Sequence, residues 1–189
     1  MSDNEVIKRV LSGERDQYRI LVERYQDMIF RTCIGFVHQK EDADDLSQEV
    51  FIQVYQSLSG FKGESSFSTW IYRFAVNASL NKLRKSSRNF ILQRLDNLIN
   101  PERDLKPIFP VNEDPETLLI NDEHRDWVRR AVDSLPENQR TAIVLSKYDD
   151  LSQKQIAEIM NISEGAVEAL IQRGKANLRK KLSPYQKKK

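Results

Sequence analysis

The stretch LSQKQIAEIMNISEGAVEALIQRGKANL, residues 151–178, holds two short segments of helical apolar spacing broken at MNIS. In the first, Ile156, Ile159 and Met160 fall on one face, with Ala157 beside them. Ser152 stands at its start and Gln155 three residues on, the spacing of a capping box. In the second, Ala166, Val167, Leu170 and Ile171 repeat at helical spacing behind Ser163, a good N-cap. The break leaves room only for a sharp turn, so the pattern predicts a helix-turn-helix. An ordinary helical hairpin in an all-α core fits the same pattern, and only charge separates the two readings.

A net charge of +2 says little by itself, but its distribution does. Residues 1–64 carry 8 Lys/Arg against 12 Asp/Glu, and residues 65–94 carry 6 against none. Residues 95–164 carry 8 against 15, and residues 165–189 carry 8 against 1. Basic stretches are commonly solvated surface. Two blocks this poor in acid, one of them beside a helix-turn-helix, point to phosphate contacts.

With only 6 Gly, 6 Pro and no run of alternating β-branched residues, the expected class is all-α: two small helical bundles joined by a partly extended linker. In the N-terminal lobe, Val6, Ile7, Val10 and Leu11 form a first apolar stripe. Tyr18, Leu21, Val22, Tyr25, Ile29, Cys33, Phe36 and Val37 form a second. Leu46, Val50, Phe51, Val54 and Leu58 form a third, and a helix starting near Ser68 turns Ile71, Phe74, Ala75 and Ala78 inward. Pro101, Pro107, Pro110 and Pro115 mark a linker, although residues 90–99 are apolar enough for a short helix. In the C-terminal lobe a helix over about 121–135 turns Trp127, Val128, Ala131 and Val132 inward. Pro136 suits the first turn of the next helix, which contains Ile143, Val144 and Leu145.

Cys33, the single cysteine, excludes a disulfide framework and reads as a buried, inert thiol. His38 and His124 read as surface residues in different lobes. No apolar run approaches the roughly 20 residues that span a bilayer. MSDNEVIKRV has no signal-peptide core, so a cytoplasmic protein without membrane insertion of its own is expected.

Three surfaces carry candidate chemistry. On residues 40–56, Asp42, Asp45, Gln48, Glu49 and Gln56 line the face opposite the buried one, with apolar Ile52 among them. This is either a solvated helix face or a docking surface for a basic protein partner; two carboxylates on one helix make a poor metal site, and no metal is assigned. On residues 63–85, Arg73, Asn77, Asn81 and Arg84 share the outer face, flanked by Lys85. Lys62, Phe67 and Trp70 lie at or before its start. Aromatic residues among cations suit an unstacked single strand, whereas Phe67 and Trp70 read equally as core. In the helix-turn-helix, the second helix would present Ser163, Glu164, Gly165, Ala166, Glu168 and Gln172 toward base edges. Arg173, Lys175 and Arg179 come late, where phosphates lie.

The segments DADDLSQEVFIQVYQSL, FSTWIYRFAVNASLNKLRK and LPENQRTAIVLSKYDDLSQKQIAEIMNISEGAVEALIQRGKANLRKKL come in this order, with the acidic linker between the last two. In them the chain resembles an extracytoplasmic-function, or group IV, sigma factor of bacterial RNA polymerase, over nearly all of residues 11–182. The resemblance implies residues 1–88 as sigma domain 2, 89–120 as the linker and 121–189 as sigma domain 4. It implies that residues 44–51 dock on the clamp helices of the largest polymerase subunit. It further implies that residues 61–85 melt and read the −10 element, with one base flipped into a pocket, and that residues 151–179 read duplex −35 DNA. Core polymerase, including its flap, and promoter DNA are the implied partners, together with an anti-sigma factor. No cofactor and no catalysis are implied. One departure stands out: where many members carry a Thr-Val-Lys-Ser-Arg-like run, this chain has Ala166, Val167, Glu168, Ala169 and Leu170.

Spans are compatible with this reading. Promoter elements about 17 base pairs apart lie about 58 Å apart, and a linker of about 30 residues extends to about 100 Å. A stand-alone helix-turn-helix regulator that binds operators as a dimer is the alternative. A metal enzyme built on Asp42, Asp45 and Glu49 is a third, without any nucleophile-base pair or phosphate loop behind it.

Overall fold

The computed structural model describes residues 1–99 and 119–186, which form eight α-helices with two 3-10 turns. Of the acidic linker expected over residues 89–120, residues 100–118 lie outside the described residues. Helix α1, Asp3–Leu11, begins at a capping box in which Ser2 Oγ accepts from Glu5 N–H and Glu5 accepts from Ser2 N–H. Leu11, expected in the buried stripe, is 53% exposed. It ends α1 just where Gly13, at φ +111°, turns the chain away. Helix α2, Tyr18–Val37, and α3, Lys40–Gln56, pack on one another and on α4, Phe67–Ile99. Tyr25 donates to Asp3 Oδ2 at 2.6 Å and Tyr18 donates to the Phe51 carbonyl at 2.8 Å, tying α1 and α3 to α2.

Helix α4 starts at Phe67 and runs unbroken to Ile99. The apolar stretch 90–99 therefore continues α4 rather than forming a separate docked helix. Nothing between Ser87 and Ile99 stops a helix, since the first proline comes at Pro101.

The second lobe comprises α5, Leu119–Asp133; α6, Glu137–Tyr148; α7, Gln153–Met160; and α8, Glu164–Gln186. The capping box of Ser152 and Gln155 forms as expected. Asn161, at φ 54° and ψ 49°, closes α7 in the left-handed conformation, which asparagine tolerates well. Helix α8 then leaves at the angle set by this turn. It crosses α6 closely at Gly174, where a Cβ would stand 2.9 Å from Ile143 Cγ1. Arg140, 9% exposed, folds back to donate to the carbonyls of Asp133 and Leu135 at the end of α5. Val128, expected inward, is 49% exposed, whereas Ala131 and Val132 at the end of α5 and Leu135 just after it are buried.

The lobes are in contact, through α2 on α6 and α4 on α7. Helix α4 is apolar on two sides. Ile71, Ala75 and Ala78 enter the core of the first lobe, while Tyr72 and Val76 join Phe36 in the core of the second. His38 is a correction to the sequence expectation. Its side chain is only 10% exposed, and its Nε2 stands 3.0 Å from Asp133 Oδ1 of the other lobe. The side chain of His124 lies outside the described residues. Cys33 is fully buried, and burial pushes its thiol pKa up, as expected of an inert thiol.

Candidate nucleic-acid interface

Helix α3 turns Leu46, Val50 and Val54 into the core and leaves the opposite face to solvent. Asp45, Gln48, Glu49, Ile52 and Gln56 are all exposed on that face, Ile52 to 58%. Asp42 is half-buried and accepts from Lys82 Nζ of α4 at 2.7 Å, so its charge is engaged within its own lobe. Tyr55, 37% exposed and edge-on to Tyr18, adds an aromatic beside Ile52 that sequence reasoning missed. Its position three residues after Ile52 was the available signal. A carboxylate face with an apolar centre is chemically suited to a basic protein surface.

At the start of α4, Phe61, Phe67, Trp70 and Phe74 pack as an aromatic cluster with ring centroids 4.7–5.6 Å apart. Phe67, expected at the DNA surface, is 2% exposed and also packs edge-on against Tyr25. It closes the core where the helix begins, because a ring this large stabilises more when buried than when left in water. Trp70 is half-buried over it. Lys62, Asn77, Asn81, Arg84 and Lys85 are exposed. Asn81 Oδ1 accepts from Arg84 at 3.4 Å.

The cations of this face meet the second lobe. Arg73 donates through Nη2 to the Glu158 carbonyl of α7 at 2.8 Å. Arg84 donates to both carboxylate oxygens of Glu137, Nε to Oε1 at 2.7 Å and Nη2 to Oε2 at 2.5 Å. The Arg84 hydrogen bond holds the Glu137 carboxyl below its usual pKa.

One buried carboxylate sits between the lobes. Asp149, whose side chain is fully buried, follows α6 and approaches α2. Thr32 Oγ1 stands 2.8 Å from Asp149 Oδ2 and 3.0 Å from the Met28 carbonyl, yet its hydroxyl has one proton to give. Asp149 Oδ1 has no hydrogen-bond partner, and the Arg31 guanidinium is 3.7 Å away. A proton on Asp149 removes the conflict, since the carboxyl then donates to Thr32 and Thr32 donates to Met28. Burial raises the Asp149 pKa; Thr32 and Arg31 oppose the shift, and Asp150 adds to it.

The charged form therefore opposes folding above the raised pKa, and protonation lifts that penalty as pH falls through it. Asp149→Asn, which supplies the donor permanently, is expected to stabilise the chain by about 1–2 kcal/mol at neutral pH. The gain should shrink on acidification, as measured by urea unfolding at several pH values.

In α8, Ser163 Oγ accepts from Ala166 N–H at 3.2 Å as the N-cap. Glu164, Gly165, Glu168, Gln172, Arg173, Lys175 and Arg179 are exposed, and Ala166 is half-buried. Leu170, one of the departures noted in the sequence, is half-buried against the second core and so serves packing. Exposed Lys154, on the first turn of α7, stands beside the turn residues Asn161 and Ser163 around one shallow groove. Its place on the first helix of the motif, which in helix-turn-helix proteins crosses the DNA backbone, was the signal that sequence reasoning passed over.

Known proteins match this arrangement along the chain. The family profile Sigma-70 region 2 matches residues 21–89, and Sigma-70, region 4 matches residues 125–178. The chain is 33% identical over 186 residues to the RNA polymerase sigma-H factor of Pseudomonas aeruginosa, covering 96% of this chain and 94% of that one. It is 33% identical over 179 residues to the ECF RNA polymerase sigma factor SigW of Bacillus subtilis, covering 93% and 94%. It is also 33% identical over 184 residues to the ECF RNA polymerase sigma-E factor of Escherichia coli K12, covering 97% and 96%. The fold is similar to that of CnrH, solved in complex with the cytosolic domain of CnrY. The TM-score is 0.65 at 20% identity, covering 96% of this chain and 97% of that one. It is also similar to RpoE of Bartonella quintana, solved with the anti-sigma factor NepR, with a TM-score of 0.57 at 17% identity covering 88% and 96%. With both sigma-70 regions in order and relatives at this identity over nearly its whole length, the chain belongs to the ECF RNA polymerase sigma factors and acts in transcription initiation.

Proposed function

We propose that the chain docks on core RNA polymerase through α3, reads duplex −35 DNA with α8 and captures the melted −10 strand on α4. In this reading residues 1–88 work at the −10 end, residues 121–189 at the −35 end, and residues 89–120 connect them. The observation that supports it best is the difference in chemistry between three surfaces: a carboxylate face on α3, an amide and cation face on α4, and the exposed face of α8 in the helix-turn-helix. The carboxylates of α3 would repel DNA, so that face suits a basic protein. Asn77, Asn81 and Arg84 offer donors and acceptors to bases that are no longer paired, and half-buried Trp70 offers a stacking edge next to them. Glu168 and Gln172 face base edges on α8, where Gln pairs well with adenine and Glu accepts from cytosine. RpoE of Bartonella quintana was solved with the anti-sigma factor NepR, and an anti-sigma factor is the corresponding partner proposed for this chain.

Arg173 and Lys175 are assigned to phosphates. Arg173→Ala with Lys175→Ala should weaken holoenzyme binding to −35 duplex nearly equally across sequences. It should lower the slope of log affinity against log salt by about 2. A salt titration of promoter binding reads this directly; an unchanged slope would remove both residues from the interface.

A further inference from the structure

We propose that α1 sets the position of the loop in front of α4, with Asp3 and Tyr25 as positioning residues for capture of the unpaired strand. The proposal rests on the assignment of the −10 strand to α4. Residues 62–66 bridge Phe61 and Phe67, whose rings meet edge-on with centroids 5.4 Å apart. The loop therefore leaves and returns at one aromatic clasp. Lys62, Gly63 and Glu64 are exposed, and Gly63 has a φ of +73°, which glycine adopts without strain. Ser66 Oγ accepts from Thr69 N–H at 3.1 Å and caps the start of α4.

Helix α1 supports both arms of this loop. The entering arm follows the 3-10 turn Leu58–Gly60, which packs on α1 and buries Leu58. The returning arm is Phe67, which packs edge-on against Tyr25 with centroids 5.5 Å apart. Tyr25 donates to Asp3 Oδ2 at 2.6 Å, a short bond to a charged acceptor. Asp3 is itself paired with Arg24, which also donates to the Met1 carbonyl at 3.1 Å. The bond to Asp3 fixes the Tyr25 ring, and with it the edge that Phe67 meets. Half-buried Trp70 packs on both Phe61 and Phe67. One path of contacts thus runs from α1 to the loop and to the stacking edge beside the amide face of α4. A site held in place before its ligand arrives spends less of the contact energy on ordering itself.

The test uses holoenzyme and a single-stranded DNA 12-mer spanning the −10 element of a promoter selected from a randomised library. Discrimination is the affinity for that strand over the mean affinity for its single-base substitutions, read by fluorescence anisotropy. Tyr25→Leu removes the ring that meets Phe67, and Asp3→Ala removes the acceptor that holds it. Both should lower discrimination about threefold to tenfold, the worth of one aromatic pair expressed as a ratio of affinities. Asp3→Asn keeps an oxygen for the Tyr25 hydroxyl, and Arg24→Gln breaks the ion pair but leaves that hydrogen bond. Both should discriminate like the native sequence. Ile29→Val trims the same core one turn along α2 and controls for its loosening; it too should discriminate like the native sequence.

Native discrimination in both Tyr25→Leu and Asp3→Ala would overturn the proposal and leave strand capture by α4 standing. An equal fall in Ile29→Val would overturn it as well, because loosening of the core would then suffice. A native holoenzyme that binds every strand alike would overturn the proposal together with the assignment of the strand to α4, which Asn77→Ala with Arg84→Ala tests separately.

Discussion

Asp45→Lys combined with Glu49→Lys is expected to weaken binding to core polymerase at least about a hundredfold, close to 3 kcal/mol. Both carboxylates are exposed on the outer face of α3, one turn apart, and neither supports the core. Reversing them swaps two attractive charges for two repulsive ones against a basic partner, and like-charge contacts at an interface cost several kcal/mol. The fold should not notice, since surface substitutions away from packed features change stability by no more than about 0.5 kcal/mol. The pair must therefore lose affinity while keeping its helical signal and melting temperature. Ile52→Asp should add to the loss through the apolar centre of the patch. Full affinity in the double variant would move the docking site elsewhere.

Removal of the polar face of α4 has the second largest effect. Asn77→Ala with Arg84→Ala should reduce promoter opening by about 10- to 100-fold, on the basis of about 1–3 kcal/mol for each well-placed base or phosphate contact. Occupancy at −35 should persist, because α8 lies on the other lobe. Permanganate reactivity of unpaired thymines reports opening, and footprinting of the same complexes reports −35 contact. Equal loss at both sites would contradict the division of labour. In the free chain Arg84 is tied to Glu137, so the measurement belongs in the holoenzyme.

The helix-turn-helix was fully legible, because every signal that builds it is local. Ser152 with Gln155, the apolar spacing of Ile156 and Ile159, and Ser163 before α8 all lie within a few residues of what they control. The solvent face of α3 was legible for the same reason: Leu46, Val50 and Val54 define one face, and the rest follows from helical geometry. Phe67 was not, since a residue among cations at a helix start has no local mark that tells core from stacking surface. The extension of α4 to Ile99 was only half visible, as apolar residues without a partner do not reveal whether they continue a helix.

Least legible was the contact between the lobes. Tyr72 and Val76 sit next to Ile71 and Ala75 on a helix already committed to one core, and nothing within a turn of them announces a second. His38 and Asp149 acquire their partners across 95 and 117 residues, which no local pattern encodes.

Transcription from a randomised promoter library by core polymerase with this purified chain tests the central assignment most directly. Initiation should occur at defined starts whose upstream sequences share two conserved elements about 17 base pairs apart, an interval the linker can span. No initiation above core alone, together with tight dimeric binding of the chain to duplex DNA in the absence of polymerase, would contradict the assignment.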